Sequence, residues 1–543
     1  MFLRCLARRA QQSSTPILFR TLTTDSKPYY ITTPIFYPNA IPHIGHLYTL
    51  VIGDIFARYQ RLLNPKTPVN FLAGTDEHGL KIQKAAQLKG LPPNEFCDQL
   101  SAQFRRLAEQ AQVSNTVFMR TTQPAHHETV ESVWRALDAK GLIYKGDYSG
   151  WYSITDECFY TPAQVNTITS TGAPTTTSIE TGAVVEWQHE QNYMFRLSHF
   201  RTSLLKHYIT ANPAAIFPPQ HHAHIVQILE NEPLEDLSVS RPRSRLSWGV
   251  PVPGDPEHSI YVWFDALLVY LAGIGYPWKG SSGRVEGWPV DLQVIGKDIL
   301  RFHAIYLPAI LQALDLPLQK QLLAHAHWTV EQKKMSKSLG NVADPFDAIQ
   351  EFGVDIIRFY LARVGGRFRD DTDWSREQLE KHDREIQSLL GNYFLRITSP
   401  TIQARMAGAQ PRSLQQIHDD PTSPNRELIQ TQRDLPRKVQ TYMDAMEVGE
   451  ALGAIVDVLR LANKTLTDIA PWKKTTPPED VYACHATALE TLRVAGVCLQ
   501  PFVPGVARRV LDALGVPAEE RAWAWAEEGS VDRERVVDGE RLF

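Results

Sequence analysis

No two cysteines of this chain stand close enough in sequence to act together. The five, Cys5, Cys97, Cys158, Cys484 and Cys498, include no CxxC and no pair at metal-ligand spacing. That argues against a thiolate zinc knuckle and against a disulfide-stapled secreted scaffold, and it fits a reducing compartment. Long apolar runs are missing too. The best, Tyr261 to Tyr276, is interrupted by Asp265, and a membrane span needs about 20 apolar residues. Positive charge is not in excess: 56 Lys and Arg against 60 Asp and Glu give a net −4. A general basic field for nucleic acid is thereby excluded, and any RNA contact must come from local patches and shape. Finally, no acidic residue precedes Asp25, while Arg4, Arg8, Arg9 and Arg20 are interspersed with Phe2, Leu3, Leu6, Ile17, Leu18, Phe19 and several Ser and Thr. This Arg-rich, acid-poor, amphipathic composition is that of an organelle transit peptide. Residues 1–27 are expected to serve as one, with the mitochondrial matrix as the destination and cleavage between Arg20 and Lys27.

What is present is a globular chain, 43% apolar over 543 residues, which at ~150 residues per domain predicts three or four domains. Two short motifs carry chemistry. The first is His43-Ile44-Gly45-His46. Before it, Tyr29-Tyr30-Ile31-Thr32-Thr33 reads as a strand. Pro34 to Pro42, with three prolines, predicts irregular backbone. After it, Leu47, Val51, Ile55, Tyr59 and Leu62 recur at helical spacing. The histidines thus stand where a helix N-terminus attracts phosphate. The second motif, Lys334-Met335-Ser336-Lys337-Ser338, has Gly340 and Asn341 close behind and reads as a mobile basic loop. Each motif alone could be a βα turn or a solvated charge run. Together they suit attack on the α-phosphate of ATP with pyrophosphate leaving.

With those residues in view, the chain resembles a class I aminoacyl-tRNA synthetase, with its HIGH and KMSKS signatures, and more narrowly the methionyl-tRNA synthetase family. Ala73-Gly74-Thr75-Asp76-Glu77-His78-Gly79, Ser247 to Pro253, Tyr261 to Leu267, and Gly296-Lys297-Asp298-Ile299 with Phe302-His303 resemble further segments of that family. The likeness runs from about Tyr29 to about Pro501. It implies that His43, His46, Lys334 and Lys337 are catalytic, and that Gly45, Gly296 and Asp298 bind ATP with them. It implies a methionine site of Ile35, Tyr37, Asp76, Trp263, Ala266, Leu267, Tyr270, Ile299 and His303. Asp76 would hold the ammonium, and apolar and aromatic walls suit the polarizable thioether. Trp263, Ala266 and Tyr270 also fit a buried helix face. Leu267 departs from relatives with Pro there. Asn392, Arg396 and Trp472 would read the anticodon, by edge contacts and stacking.

The expected fold is α/β: a doubly wound, Rossmann-like parallel-sheet catalytic domain in two halves, 28–141 and 242–323. The halves are separated by a connective insertion at 142–241 and followed by an all-α helix bundle that binds the anticodon. Residues 324–378 would carry the lysine loop and a stem-contact segment, 379–520 the bundle, and 521–543 a charged tail. The insertion holds Cys158 alone among cysteines, so no structural zinc is expected. It is also far too short for the editing domain that weak discrimination by a single methylene imposes on related enzymes. Within it, Thr167 to Ser178 reads as a surface loop, and Pro400 to Asn425 as a flexible crossover. The expected partners are methionine, ATP with Mg²⁺ and tRNA(Met), with no membrane and a monomeric state. Two rivals share parts of the pattern, a small-substrate nucleotidyltransferase and a synthetase relative kept as an RNA scaffold.

Overall fold

The computed structural model describes residues 27–154, 158–168, 175–279, 283–335, 342–527 and 542–543, with the side chains of Tyr148, Cys158 and Lys334 left out. Its centre is a six-stranded sheet of β1 (Tyr29–Phe36), β2 (Val69–Thr75), β3 (Val117–Arg120), β4 (Ile216–Phe217), β5 (Leu292–Gly296) and β6 (Gln321–His325). The order across it is β3-β2-β1-β5-β6-β4, and every pairing is parallel. Alternate residues face opposite sides. Ile31, Phe71, Val294 and Leu323 enter one core, and Tyr30, Leu72, Ile295 and Leu322 the other, as a sheet covered on both faces requires. The chain departs in opposite directions from β1 and β5, so a crevice opens beyond their carboxyl ends.

The sequence reading needs correction at several points. β1 does not stop at Pro34 but continues to Phe36, and its register against β2 shifts between Thr32 and Ile35. Proline lacks the N–H that a regular ladder uses, and the irregularity absorbs it. The insertion is not separate from the sheet, because β4 arises within it and pairs with β6. The rest of it includes a four-stranded sheet built on Ile143–Ser153 and Glu186–Phe195. The Thr-rich stretch is not simply a loop: Val165–Ile168 and Thr175–Ser178 pair as antiparallel strands. The crossover after Pro400 contains two short helices, Pro400–Met406 and Leu414–His418, the second closed by a Ser413–Gln416 capping box. Lys27, assigned to the transit peptide, belongs to the folded body. Its ammonium pairs with Asp291 and bonds the carbonyls of Pro28 and Gly287.

Helix α1 (Ile44–Leu63) follows β1, and α2 (Val262–Leu267) lies ahead of β5. Beyond the sheet, α3 (Val354–Gly365) leads into helices that include Arg376–Ile386, Arg426–Asp444, α4 (Val448–Ile469) and Pro478–Leu499. Residues Gln387–Asn392 form a π-helical segment that runs into the helix Tyr393–Ile397. One apolar core is continuous from α1 through α3 into these helices. At the junction the fully buried Arg358 of α3 pairs with Asp54 of α1 at 2.7 Å. It also donates to the carbonyls of Phe502, Pro501 and Ala111. Burial opposes ionisation of Asp54, yet Arg358, Arg58 and Ser114 hold its carboxyl below the usual range.

Candidate active site

The HIGH histidines cap α1. His43 is the N-cap residue, and its Nδ1 accepts the Gly45 N–H at 3.1 Å. The Nδ1 of His46 accepts the His43 N–H at 3.0 Å, closing a capping box. A neutral imidazole that accepts at Nδ1 carries its proton on Nε2. Both rings are therefore held as Nε2–H donors, with centroids 3.8 Å apart, at the positive end of a helix. Gly45 is required by this approach, since a Cβ there would come within 2.9 Å of the His43 ring. The His46 ring is wedged edge-on between Phe36 and Phe104.

Beside the end of β1 lies a cavity of about 180 Å³. All the residues expected to hold methionine line it, joined by Pro34, Val262 and Phe302, which sequence reasoning missed. His303 and Tyr270 in its wall satisfy each other in a fixed chain. The Nδ1–H of His303 donates to the Ile299 carbonyl at 2.9 Å, which leaves Nε2 to accept the Tyr270 hydroxyl at 2.7 Å. Burial holds His303 down to about 4, so the ring is neutral at physiological pH. Burial likewise pushes the Tyr270 phenol far up. Trp263 donates its Nε1–H to the Ser238 carbonyl, and Tyr37 its hydroxyl to the His78 carbonyl. The wall offers uncharged aromatic surface, and Asp76 supplies a buried carboxylate.

Two walls of this cavity are tied together by Asp265, which α2 carries beside Trp263, Ala266 and Leu267. Its carboxylate accepts from His78 Nδ1 and from His126 Nε2, both at 2.7 Å. Burial opposes its ionisation, but the two imidazoles hold it well below the usual carboxylate range. Around it, the loop after β2 is fixed by the fully buried Glu77, which bonds Arg120, Thr75 and Thr122. No local sequence signal announces this network, because Asp265 stands 187 and 139 positions from its partners.

Gly296 ends β5, and Asp298 follows in a 3₁₀ turn, both at the crevice mouth. A Cβ on Gly296 would meet the Asp298 carboxylate at 2.7 Å. Thr49 of α1 and His325 of β6 meet at 2.9 Å. Lys333–Lys334 pair antiparallel with Trp328–Val330 through a turn whose residues Glu331 and Gln332 both have positive φ, 52° and 58°. The backbone of Lys334 is thus placed in a hairpin; Lys337 lies outside the described residues. Among the described residues no group of three or more His, Cys, Asp or Glu is arranged to hold a metal ion. The thiols of Cys97, Cys484 and Cys498 are buried and free.

Far along the chain, Asn392, Arg396 and Trp472 line a shared groove with Asn463, Ser388 and Leu395. The Arg396 guanidinium lies over the Trp472 ring, 5.1 Å from its centroid, and that ring is 39% exposed.

A family model described as class I tRNA synthetases (M) matches residues 29–398, and one for the anticodon-binding domain of methionyl tRNA ligase matches 419–541. The chain is 42% identical over 533 residues to the probable mitochondrial methionine–tRNA ligase of Neurospora crassa, covering 95% of this chain and 84% of that one. It is 41% identical to the human mitochondrial methionine–tRNA ligase, over 91% of this chain and 85% of that one. The methionyl-tRNA synthetase of Mycobacterium tuberculosis, solved with methionyl-adenylate bound, superposes with a TM-score of 0.86 at 35% identity over 95% of this chain and all of its own. Matched over nearly its whole length by such relatives, the chain belongs to the methionyl-tRNA synthetases, within the class I aminoacyl-tRNA synthetases.

Proposed function

We propose that this protein is a methionine–tRNA ligase that acts as a monomer in the mitochondrial matrix. The observation that carries the reading is the apolar cavity beside the HIGH cap, with a neutral His303–Tyr270 pair in its wall and one carboxylate, Asp76. An unbranched thioether fits such a wall without polar partners, and Asp76 takes the ammonium. The methionine carboxylate then attacks the α-phosphorus of Mg-ATP. The Nε2–H groups of His43 and His46 donate to the phosphate oxygens as negative charge builds, a preorganised electrostatic contribution. Lys334 and Lys337 neutralise the departing pyrophosphate, and Gly296 and Asp298 hold the ribose. The ribose of the terminal adenosine of tRNA(Met) next attacks the methionyl-adenylate carbonyl and releases AMP, while Asn392, Arg396 and Trp472 hold the anticodon.

Methionine-dependent ATP–pyrophosphate exchange across an amino-acid panel tests the pocket. Exchange with methionine alone is expected; exchange with another amino acid overturns the assignment. Lys337→Ala should lower kcat with little change in methionine KM, and the reverse pattern would remove the role given to that lysine.

A further inference from the structure

The anticodon groove contains a polar residue whose orientation the fold fixes. Asn463 of α4 donates both hydrogens of its side-chain amide inward, to the Leu389 carbonyl and the Leu459 carbonyl, each at 2.9 Å. Leu459 is its own helix neighbour one turn back. Leu389 lies in the π-helical segment Gln387–Asn392, where widened winding releases carbonyls from the regular ladder. An amide nitrogen has two hydrogens and no more. The side chain therefore cannot flip without facing two carbonyl oxygens with a third. Its Oδ1 has no hydrogen-bond partner among the described residues, and Asn463 lines the groove beside Asn392, Arg396 and Trp472.

Building on the anticodon reading above, we infer that Asn463 is a specificity-determining residue whose Oδ1 accepts a hydrogen from the exocyclic amine of an anticodon base, cytosine above all. The groove then carries one fixed acceptor, Oδ1, next to two donors, the guanidinium of Arg396 and the amide of Asn392. Cytosine's Watson–Crick edge presents an amine donor followed by two acceptors, N3 and O2, and complements that set in full. Adenine matches it in part. Uracil and guanine offer a carbonyl oxygen where the amine should be, so acceptor faces acceptor. The exposed face of Trp472 supplies the stacking platform for the same base. A methionine anticodon, CAU, has its cytosine at the first position.

The test is charging of three tRNA(Met) transcripts by the full chain: one with CAU, one with UAU, and one with 2-pyrimidinone, cytosine without its amine, at the first position. The unaltered enzyme should lose about 3- to 10-fold in kcat/KM on deletion of the amine, the worth of one net hydrogen bond. Asn463→Ala should lose the same factor on CAU and nothing further on the deleted base, so that the double-mutant cycle closes. The proposal is overturned if the two losses multiply, if Asn463→Ala weakens all three transcripts by one common factor, or if the unaltered enzyme is indifferent to the amine. This last arm stands whether or not the variant folds. Arg396→Ala and Trp472→Ala separate the two claims. Full charging by both would remove the groove as the anticodon site, whereas their failure beside an open Asn463 cycle removes only Asn463.

Discussion

Asp265→Asn replaces a charge without changing volume, at a point where two walls of the proposed methionine cavity meet. The carboxylate accepts from His78 on one side and His126 on the other, each at 2.7 Å. An asparagine keeps one acceptor and presents an N–H₂ to the second ring, which must change tautomer or lose its partner. His126 has no reserve, because its Nδ1 is already buried without a hydrogen bond among the described residues. The loss is about one hydrogen bond to a charged group, ~1.5–3 kcal/mol. The His78 loop carries Asp76, and the His78 carbonyl holds Tyr37, so the loss falls on the alignment of the proposed ammonium-binding wall with Trp263 and Ala266. Referred wholly to binding, it is about 10- to 150-fold in methionine KM. The assay is pyrophosphate exchange with methionine varied at saturating ATP, with thermal denaturation in parallel. A methionine KM within about twofold of the parent, alongside a lowered melting temperature, would refute the reasoning and leave Asp265 a stability element only.

Three further outcomes follow from geometry already described. Burial depresses His303 and His325 to about 4, below the ~6.5 of an exposed imidazole. Between those values the unfolded chain binds more protons than the folded one, so stability should be full above pH ~6.5 and fall as pH drops toward 4. Urea unfolding across pH 4–7 reads it, and a flat midpoint would contradict it. Arg358→Ala leaves the buried Asp54 with Arg58 as its remaining ion-pair partner among the described residues and strips three carbonyls of a donor, and should destabilise by about 3–5 kcal/mol, measured by urea unfolding with methionine KM followed separately. Placing Asn at 331 and Gly at 332 should relieve a left-handed strain of about 1–2 kcal/mol per residue. The double variant should therefore melt higher than the parent.

The parts of the candidate site that lie close together in sequence were legible before any fold was known. HxGH fixes its own cap because the bonds that orient it run between residues two and three apart. The aromatic and apolar residues around Trp263 and His303 are recognisable as blocks, and they meet around one cavity. What could not be read was long-range and small. The Asp265 strut joins three elements through single side chains, none of them unusual where it stands. Strand β4 is two residues long, shorter than any periodicity can register, and it acquires meaning only from the edge of β6 beside it. Pro34 argued for a broken strand because proline was weighed against a regular ladder, whereas the register shift beside it had already made room.

The interleaved order of the central sheet also sets a timetable for synthesis. The neighbour of β1 on one side is β2, made at once, but on the other it is β5, and Tyr30 binds Asp291 from 261 positions away. At roughly 5–20 residues per second, the amino-terminal half leaves the ribosome roughly 10–50 s before its sheet can close. For that interval one edge of β1, with its row of N–H and C=O groups, has no native ladder partner. The nascent chain must therefore be shielded until Gly296 has emerged and β5 can pair with β1.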